Sequence, residues 1–186
     1  MAKDELHGAY AYSREAPAYR EVQQRLQDMR AVELPLGRDA FQRQIKRCMD
    51  CGVPFCHAYG CPLGNRVPDY CDELSVGNWK QALELLHSTN NFPEFTGSIC
   101  PALCEASCTL SIHGEPNICR HIELQIVQRG WEEGWIRPVT APRKTGKRIA
   151  VVGSGPTGLA AAQQLSRMGH EVVVFEQSSR IGGLIS

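Results

Sequence analysis

No stretch of this sequence approaches the roughly 20 consecutive apolar residues that a membrane-spanning helix needs. The polar segment from Met1 to Arg20 also lacks the apolar core of a secretory signal. Charge of one sign is not in excess, since 20 Lys and Arg balance 20 Asp and Glu. Bulk electrostatics therefore gives no reason to expect a nucleic-acid or membrane partner. Acid–base machinery is thin as well. His57, His113 and His121 have no paired carboxylate signal, and each reads as a packed or surface histidine. No internal repeat or low-complexity segment is present. What remains is a globular chain of ordinary composition, 42% hydrophobic and 22% charged, expected in the cytoplasm and without a side chain that looks like an acid–base catalyst.

Cysteine is abundant, with nine in 186 residues. In a reducing compartment such a count points to metal or redox chemistry and away from disulfides. Scattered buried thiols would not cluster as these do. One group reads Cys48-x2-Cys51-x4-Cys56-x4-Cys61-Pro62, the other Cys100-Pro101-x2-Cys104-x3-Cys108. Iron–sulfur cores take thiolates because soft sulfur donors match the covalent iron–sulfide core. Three cysteines followed by Cys-Pro follow the layout of bacterial ferredoxins, in which the Cys-Pro thiolate crosses to the other cluster. The gaps here are longer, so only the layout is shared. A zinc site would use two paired knuckles, Cys48/Cys51 and Cys100/Cys104, and would leave Cys56, Cys61 and Cys108 unexplained. Two groups, of four and of three, fit two clusters that exchange ligands. Two cubanes need four ligands each, so one is missing from the groups. Cys119 and Glu123 lie four apart on an expected helix and share a face, and spacing does not choose between them. Cys71, in a different segment, reads as a plain thiol.

Helical periodicity is expected over 17–30, with Tyr19, Val22, Leu26 and Met29 on one stripe, and over 38–47, with Phe41 and Ile45. The run from Cys51 to Pro68 reads as a loop, 78–89 as a helix with Trp79, Leu83 and Leu86 inward, and 90–97 as a turn. A last helix is expected over 118–132, capped by Asn117, with Ile122, Ile126 and Val127 on its apolar face and Trp131 near its end. Residues 137–147 (RPVTAPRKTGK) are Pro-rich and basic, which marks a linker between a domain over 1–136 and a second over 148–186.

In that second part an apolar run over 149–152 enters Gly153-Ser154-Gly155-Pro156-Thr157-Gly158, followed by a helix over 156–168 and a second run over 172–175 that ends at Glu176. Strand, Gly-rich turn, helix and strand are the context that gives this motif meaning. Gly153 permits the tight turn, Gly155 lets backbone approach a pyrophosphate, and Gly158 lets helix and strand pack closely. Glu176 suits a ribose diol and argues against a 2′-phosphate. FAD and NAD share the fingerprint. One βαβ unit does not complete a doubly wound sheet, so the segment reads as part of a longer protein, with apolar sheet faces that need cover.

Three blocks, CMDCGVPFCHAYGCPLGNRVPDY, NNFPEFTGSICPALCEASC and TGKRIAVVGSGPTGLAAAQQLSRMGHEVVVFE with IGGL beyond it, resemble the small (beta) subunits of glutamate synthase. Related proteins are the N-terminal part of dihydropyrimidine dehydrogenase and the ferredoxin:NADP oxidoreductases. The resemblance runs from about Phe41 to Ser186. It implies an α+β multidomain fold: an all-α domain with two [4Fe–4S] clusters, then the first βαβ unit of a Rossmann-type FAD domain, with an NADPH domain later in the chain. It assigns Cys48, Cys51, Cys56 and Cys108 to one cluster, and Cys61, Cys100 and Cys104 to the other. Family members carry an Ile-Glu pair that falls on Ile122–Glu123, which favours Glu123 as the eighth ligand; Cys119, in NICRH, is a departure from the family. For FAD it points to Ser154–Gly158, Glu176, Gln177, Gly183 and Leu184. It further implies that electrons from NADPH pass through FAD and the clusters to a large (alpha) subunit that makes L-glutamate from glutamine and 2-oxoglutarate, or to an equivalent redox partner. These 186 residues alone are expected to bind FAD poorly and to turn over no NADPH.

Overall fold

The computed structural model describes residues 8–183 and divides the chain into two compact units, Met1–Trp135 and Ile136–Ser186. No helix among the described residues is long and apolar enough to cross a membrane.

The first unit is helical. A single turn, α1 (Val22–Arg25), is followed by α2 (Arg38–Ile45), a π-turn (Cys56–Gly60), α3 (Val67–Ser75), α4 (Trp79–His87), α5 (Pro93–Ile99), the short α6 (Leu103–Ala106), a 3-10 turn (Thr109–Ile112) and α7 (Cys119–Glu132). The apolar face expected on α7 is its buried face. Ile122, Ile126 and Val127 have no exposure, and they share the core with Ile118, Tyr70 and Leu74 of α3 and Leu86 of α4. Each such aliphatic side chain contributes about 1.5–3 kcal/mol on leaving water. α5 lies against α7 so closely that a Cβ on Gly97 would stand 2.8 Å from Leu124 Cβ. Phe41 of α2 stacks on Trp79 of α4 with centroids 5.1 Å apart, and Arg129 of α7 covers the other ring at 4.4 Å.

Several local expectations fail. The helix over 17–30 is reduced to α1, and Tyr19, Val22, Leu26 and Met29 are all exposed. The Asp28 carboxylate accepts both the Arg30 N–H at 2.9 Å and the Arg20 guanidinium at 2.7 and 2.9 Å. The Arg20 and Leu34 N–H groups donate to Val32 and Ala18 carbonyls. These bonds compete with the helical ladder, and the stripe has no core surface to reward it. Residues 90–97 are not all turn, because Pro93 opens α5 at a position where its missing N–H costs nothing. Asn117 is one residue early: Ile118 is the N-cap of α7, and Asn117 Oδ1 accepts the Ile118 N–H at 2.8 Å. Trp131 is exposed. α3 and the π-turn lie partly within the stretch read as loop and were not anticipated.

The second unit is β1 (Arg148–Val152), α8 (Pro156–Arg167) and β2 (Glu171–Phe175), with β1 and β2 parallel and Arg148 opposite Glu171, Val152 opposite Phe175. This is the expected βαβ. Val152, Val173, Val174 and Phe175 are exposed, as expected of sheet faces in a single unit.

Candidate metal centre and nucleotide turn

The two cysteine groups meet through a missing side chain. Gly60 ends the π-turn, and a Cβ there would lie 2.7 Å from Ser107 Oγ and 2.9 Å from Cys104 Cα. Only glycine lets the π-turn close on α6, and that contact sets the Cys61 loop beside the Cys104 helix. Asp50 and Ala102, at φ 45° and 59°, are non-glycine residues in the left-handed region. Each sits in a cysteine loop and turns its N–H onto a thiol, Asp50 to Cys48 and Ala102 to Cys100 at 3.4 Å.

A cavity is lined by Cys48, Cys51, Cys56 and Cys108, with Phe55, Val67, Pro68, Thr109, Leu110, Asn117 and Cys119 around them. The four thiols come from both sequence groups. N–H groups of Asp50, His57, Leu110 and Asn117 donate to the Cys48, Cys56 and Cys108 sulfurs. The Thr109 hydroxyl lies 3.2 Å from Cys51 Sγ. Burial, reinforced by the neighbouring Cys48 and Cys108, pushes the Cys56 thiol up to about 12. Burial raises Cys108 as well. Cys48 moves the other way, because the buried Cys71 thiol donates to it. A cage of free thiols, with N–H donors aimed at sulfur and no carboxylate in its lining, fits a thiolate-ligated iron–sulfide core.

The second set centres on Asn65. Its N–H donates to Cys61 Sγ at 3.4 Å and its Nδ2 to Glu123 Oε1 at 2.9 Å. Thr89 Oγ1 donates to Asn65 Oδ1 at 2.9 Å, which fixes the amide orientation. Tyr70 OH also donates to Glu123 Oε1, at 3.1 Å. Asn65, Tyr70 and Glu123 are all buried. Burial pushes the Glu123 carboxyl up to about 7 against the pull of those two donors. Cys61 and Cys104 are close enough to feel each other's charge, and Cys61 also feels Glu123. Cys119 is fully buried and donates to Cys104. Cys100, half-buried, follows α5 directly. Among the described residues no group of three or more His, Cys, Asp or Glu closes on a single-ion position.

Several of these residues escaped the sequence reading. Asn65, Tyr70 and Thr89 carry no spacing signal, and Thr109 adjoins Cys108 without a motif of its own. Cys71 is a buried thiol and donates to Cys48, a contact that spacing does not announce. His121 does have a carboxylate, with Nε2 3.0 Å from Glu33 Oε2, but its partner is 88 residues away.

In the second unit Gly153 takes φ 94°, and a Cβ on Gly158 would lie 2.1 Å from the Gly153 carbonyl oxygen. Tight turn and close packing are thus as expected. Gly155 faces open space and caps α8, with Pro156 in its first turn. The Glu176 carboxylate is already engaged: Oε2 accepts the Ser154 N–H at 2.9 Å and hydroxyl at 2.5 Å, and Oε1 accepts the Ser178 N–H at 2.9 Å. These bonds, that of the Ser154 hydroxyl first, hold Glu176 down to about 2. Gly182 N–H donates to the Ser154 carbonyl, and a Cβ on Gly183 would lie 3.0 Å from Gly155 Cα. Thr157 and Gln177 are exposed beside this turn. Leu184 lies outside the described residues. A glycine turn at a helix N-terminus and an ionised carboxylate at the second strand end fit a dinucleotide.

Residues 25–135 match the family described as dihydropyrimidine dehydrogenase domain II, 4Fe–4S cluster, and residues 151–186 match the NAD(P)-binding Rossmann-like domain. The chain is similar to the glutamate synthase [NADPH] small chain of Mycobacterium tuberculosis, 51% identical over 172 residues that make up 92% of this chain and 35% of that protein. The small chain of Bacillus subtilis is 47% identical over 187 residues, 96% of this chain and 38% of that one. The glutamate synthase [NADH] of Schizosaccharomyces pombe is 46% identical over 183 residues, 98% of this chain and 9% of that protein. The chain thus spans little more than a third of the length of the two bacterial relatives.

Proposed function

The chain belongs to the family of dihydropyrimidine dehydrogenase domain II, the 4Fe–4S cluster domain, and from that membership we propose that it is the iron–sulfur part of a glutamate synthase small chain. The zinc alternative falls with the membership. Two [4Fe–4S] clusters are assigned, one to Cys48, Cys51, Cys56 and Cys108 and the other to Cys61, Cys100, Cys104 and Glu123. The βαβ unit is assigned to FAD, through Gly153, Ser154, Gly155, Pro156, Thr157, Gly158, Glu176, Gln177, Gly183 and Leu184. When bound, the flavin would supply hydride acceptance from NADPH and the clusters one-electron relay toward a large subunit that makes L-glutamate.

The observation that carries the cluster assignment is the cavity that collects Cys48, Cys51, Cys56 and Cys108 from segments far apart in sequence. The chain's own residues hold thiolates, exclude water and direct N–H groups at sulfur, all of which bear on cluster potential. The names of the relatives support the choice of glutamate synthesis over pyrimidine or ferredoxin reduction.

Affinity purification of the full gene product from its own cells tests the partner. The expected companion is a large chain that converts 2-oxoglutarate and glutamine to glutamate when supplied with NADPH. A companion without glutamate synthesis would move the chain to another reductase of this family.

A further inference from the structure

Thr109 lines the first thiol set and Arg47 precedes its Cys48 in sequence, and neither is assigned as a ligand. Thr109 Oγ1 lies 3.2 Å from Cys51 Sγ. Between a hydroxyl and a thiol either atom could donate. Once Cys51 binds iron it is a thiolate without a proton, so the hydroxyl is the only donor left. A hydrogen bond to an ionised acceptor is stronger than a neutral one.

Arg47 precedes Cys48 and is 4% exposed. Its two terminal nitrogens donate to the Pro116 carbonyl at 2.9 Å and the Glu115 carbonyl at 2.7 Å. Its Nε is buried without a partner among the described residues. A guanidinium this buried, bonded through both terminal nitrogens to uncharged carbonyls, is costly unless a negative group stands nearby. The charges that act on Arg47 are the Glu115 carboxylate first, then Arg14, which opposes it, and then Cys108. The carbonyls it grips immediately precede Asn117, whose N–H donates to Cys108. Arg47 therefore acts on that sulfur twice, by charge and by holding the donor loop.

Resting on the cluster assignment above, we propose that Thr109 and Arg47 are positioning residues that stabilise the added negative charge of the cluster held by Cys48, Cys51, Cys56 and Cys108, and so raise its reduction potential. One-electron reduction would add one unit of negative charge to a half-buried thiolate cage. A donor at Cys51 and a cation near Cys108 favour that state more than the oxidised one. The hydrogen bonds described for Thr109 and Arg47 go to the first set and its loops, so the second set serves as the internal control.

The test is a redox titration of the anaerobically prepared protein with dithionite, followed by electron paramagnetic resonance. The signal of this cluster is identified by its loss in Cys56→Ser. Thr109→Val keeps the shape and removes the donor, and it should lower the reduction equilibrium constant of this cluster about tenfold, or 59 mV for a one-electron couple. Thr109→Ser should restore it, and the other cluster should hold its value throughout. Arg47→Gln should shift the same cluster in the same direction, and it decides the matter if the valine variant does not assemble. Parent potentials in both Thr109→Val and Arg47→Gln, or equal shifts in both clusters, overturn the inference while leaving the cluster assignment intact. A parent protein with no reducible cluster overturns the assignment and the inference together.

Discussion

Serine at position 56 should remove one of two clusters and leave the other in place. Iron in the anaerobically purified protein is expected to fall from about eight atoms per chain to about four, since each cubane holds four. Serine offers a hard oxygen donor in place of a soft thiolate, and its hydroxyl is far harder to ionise. Cys56 stands at the start of the π-turn, half-buried beside Cys48 and Cys108, and the two spare thiols nearby are engaged elsewhere, Cys71 with Cys48 and Cys119 with Cys104. Cys108→Ser should give the same residual spectrum as Cys56→Ser, although the two cysteines belong to different sequence groups. Cys61→Ser should remove the complementary signal. Identical residual spectra for Cys56→Ser and Cys61→Ser would show that the groups are paired differently.

Alanine at Glu123 is expected to alter the cluster held by Cys61, Cys100 and Cys104 and to spare its neighbour, whereas Cys119→Ala leaves both intact. The distinction rests on Asn65, which bonds Cys61 Sγ with its N–H and Glu123 Oε1 with its side-chain amide. Cys61 and Glu123 are thereby held as one unit, with Thr89 locking the amide and Tyr70 adding a second donor. Cys119 has no such frame and spends its proton on Cys104. Removing the carboxylate also leaves the Tyr70 hydroxyl and the Asn65 amide buried without their acceptor, at a cost of about 1–3 kcal/mol each. Paramagnetic resonance of the two reduced variants separates the cases, because lost stability alone would not change one cluster's signal and keep the other's. An altered signal in Cys119→Ala beside an unaltered one in Glu123→Ala would transfer the ligand to Cys119.

The parts legible in the sequence are those where chemistry demands a residue type at a spacing. Cysteine groups announce thiolate ligation, and Gly153 and Gly158 announce a turn whose geometry excludes other residues, as φ 94° and the 2.1 Å approach show. The inward faces of α2, α4 and α7 were legible because a long apolar period meets a core. The stripe over 17–30 has the same period, but local bonds to Asp28 outcompete it where no core is offered. Residues 90–97 read as a turn, yet Pro93 starts a helix there. What the sequence does not display is the shell around the ligands. Thr109 reaches Cys51 across 58 positions, Arg47 reaches Pro116 across 69 and Asn65 reaches Glu123 across 58. Such partners are set by packing of distant segments, and no local period encodes them.

The most direct measurement is iron, acid-labile sulfide and zinc on protein purified without oxygen, read beside its visible spectrum. The account predicts a brown protein with about eight iron and eight sulfide per chain whose broad absorption bleaches with dithionite. A colourless protein with stoichiometric zinc and no sulfide would contradict it.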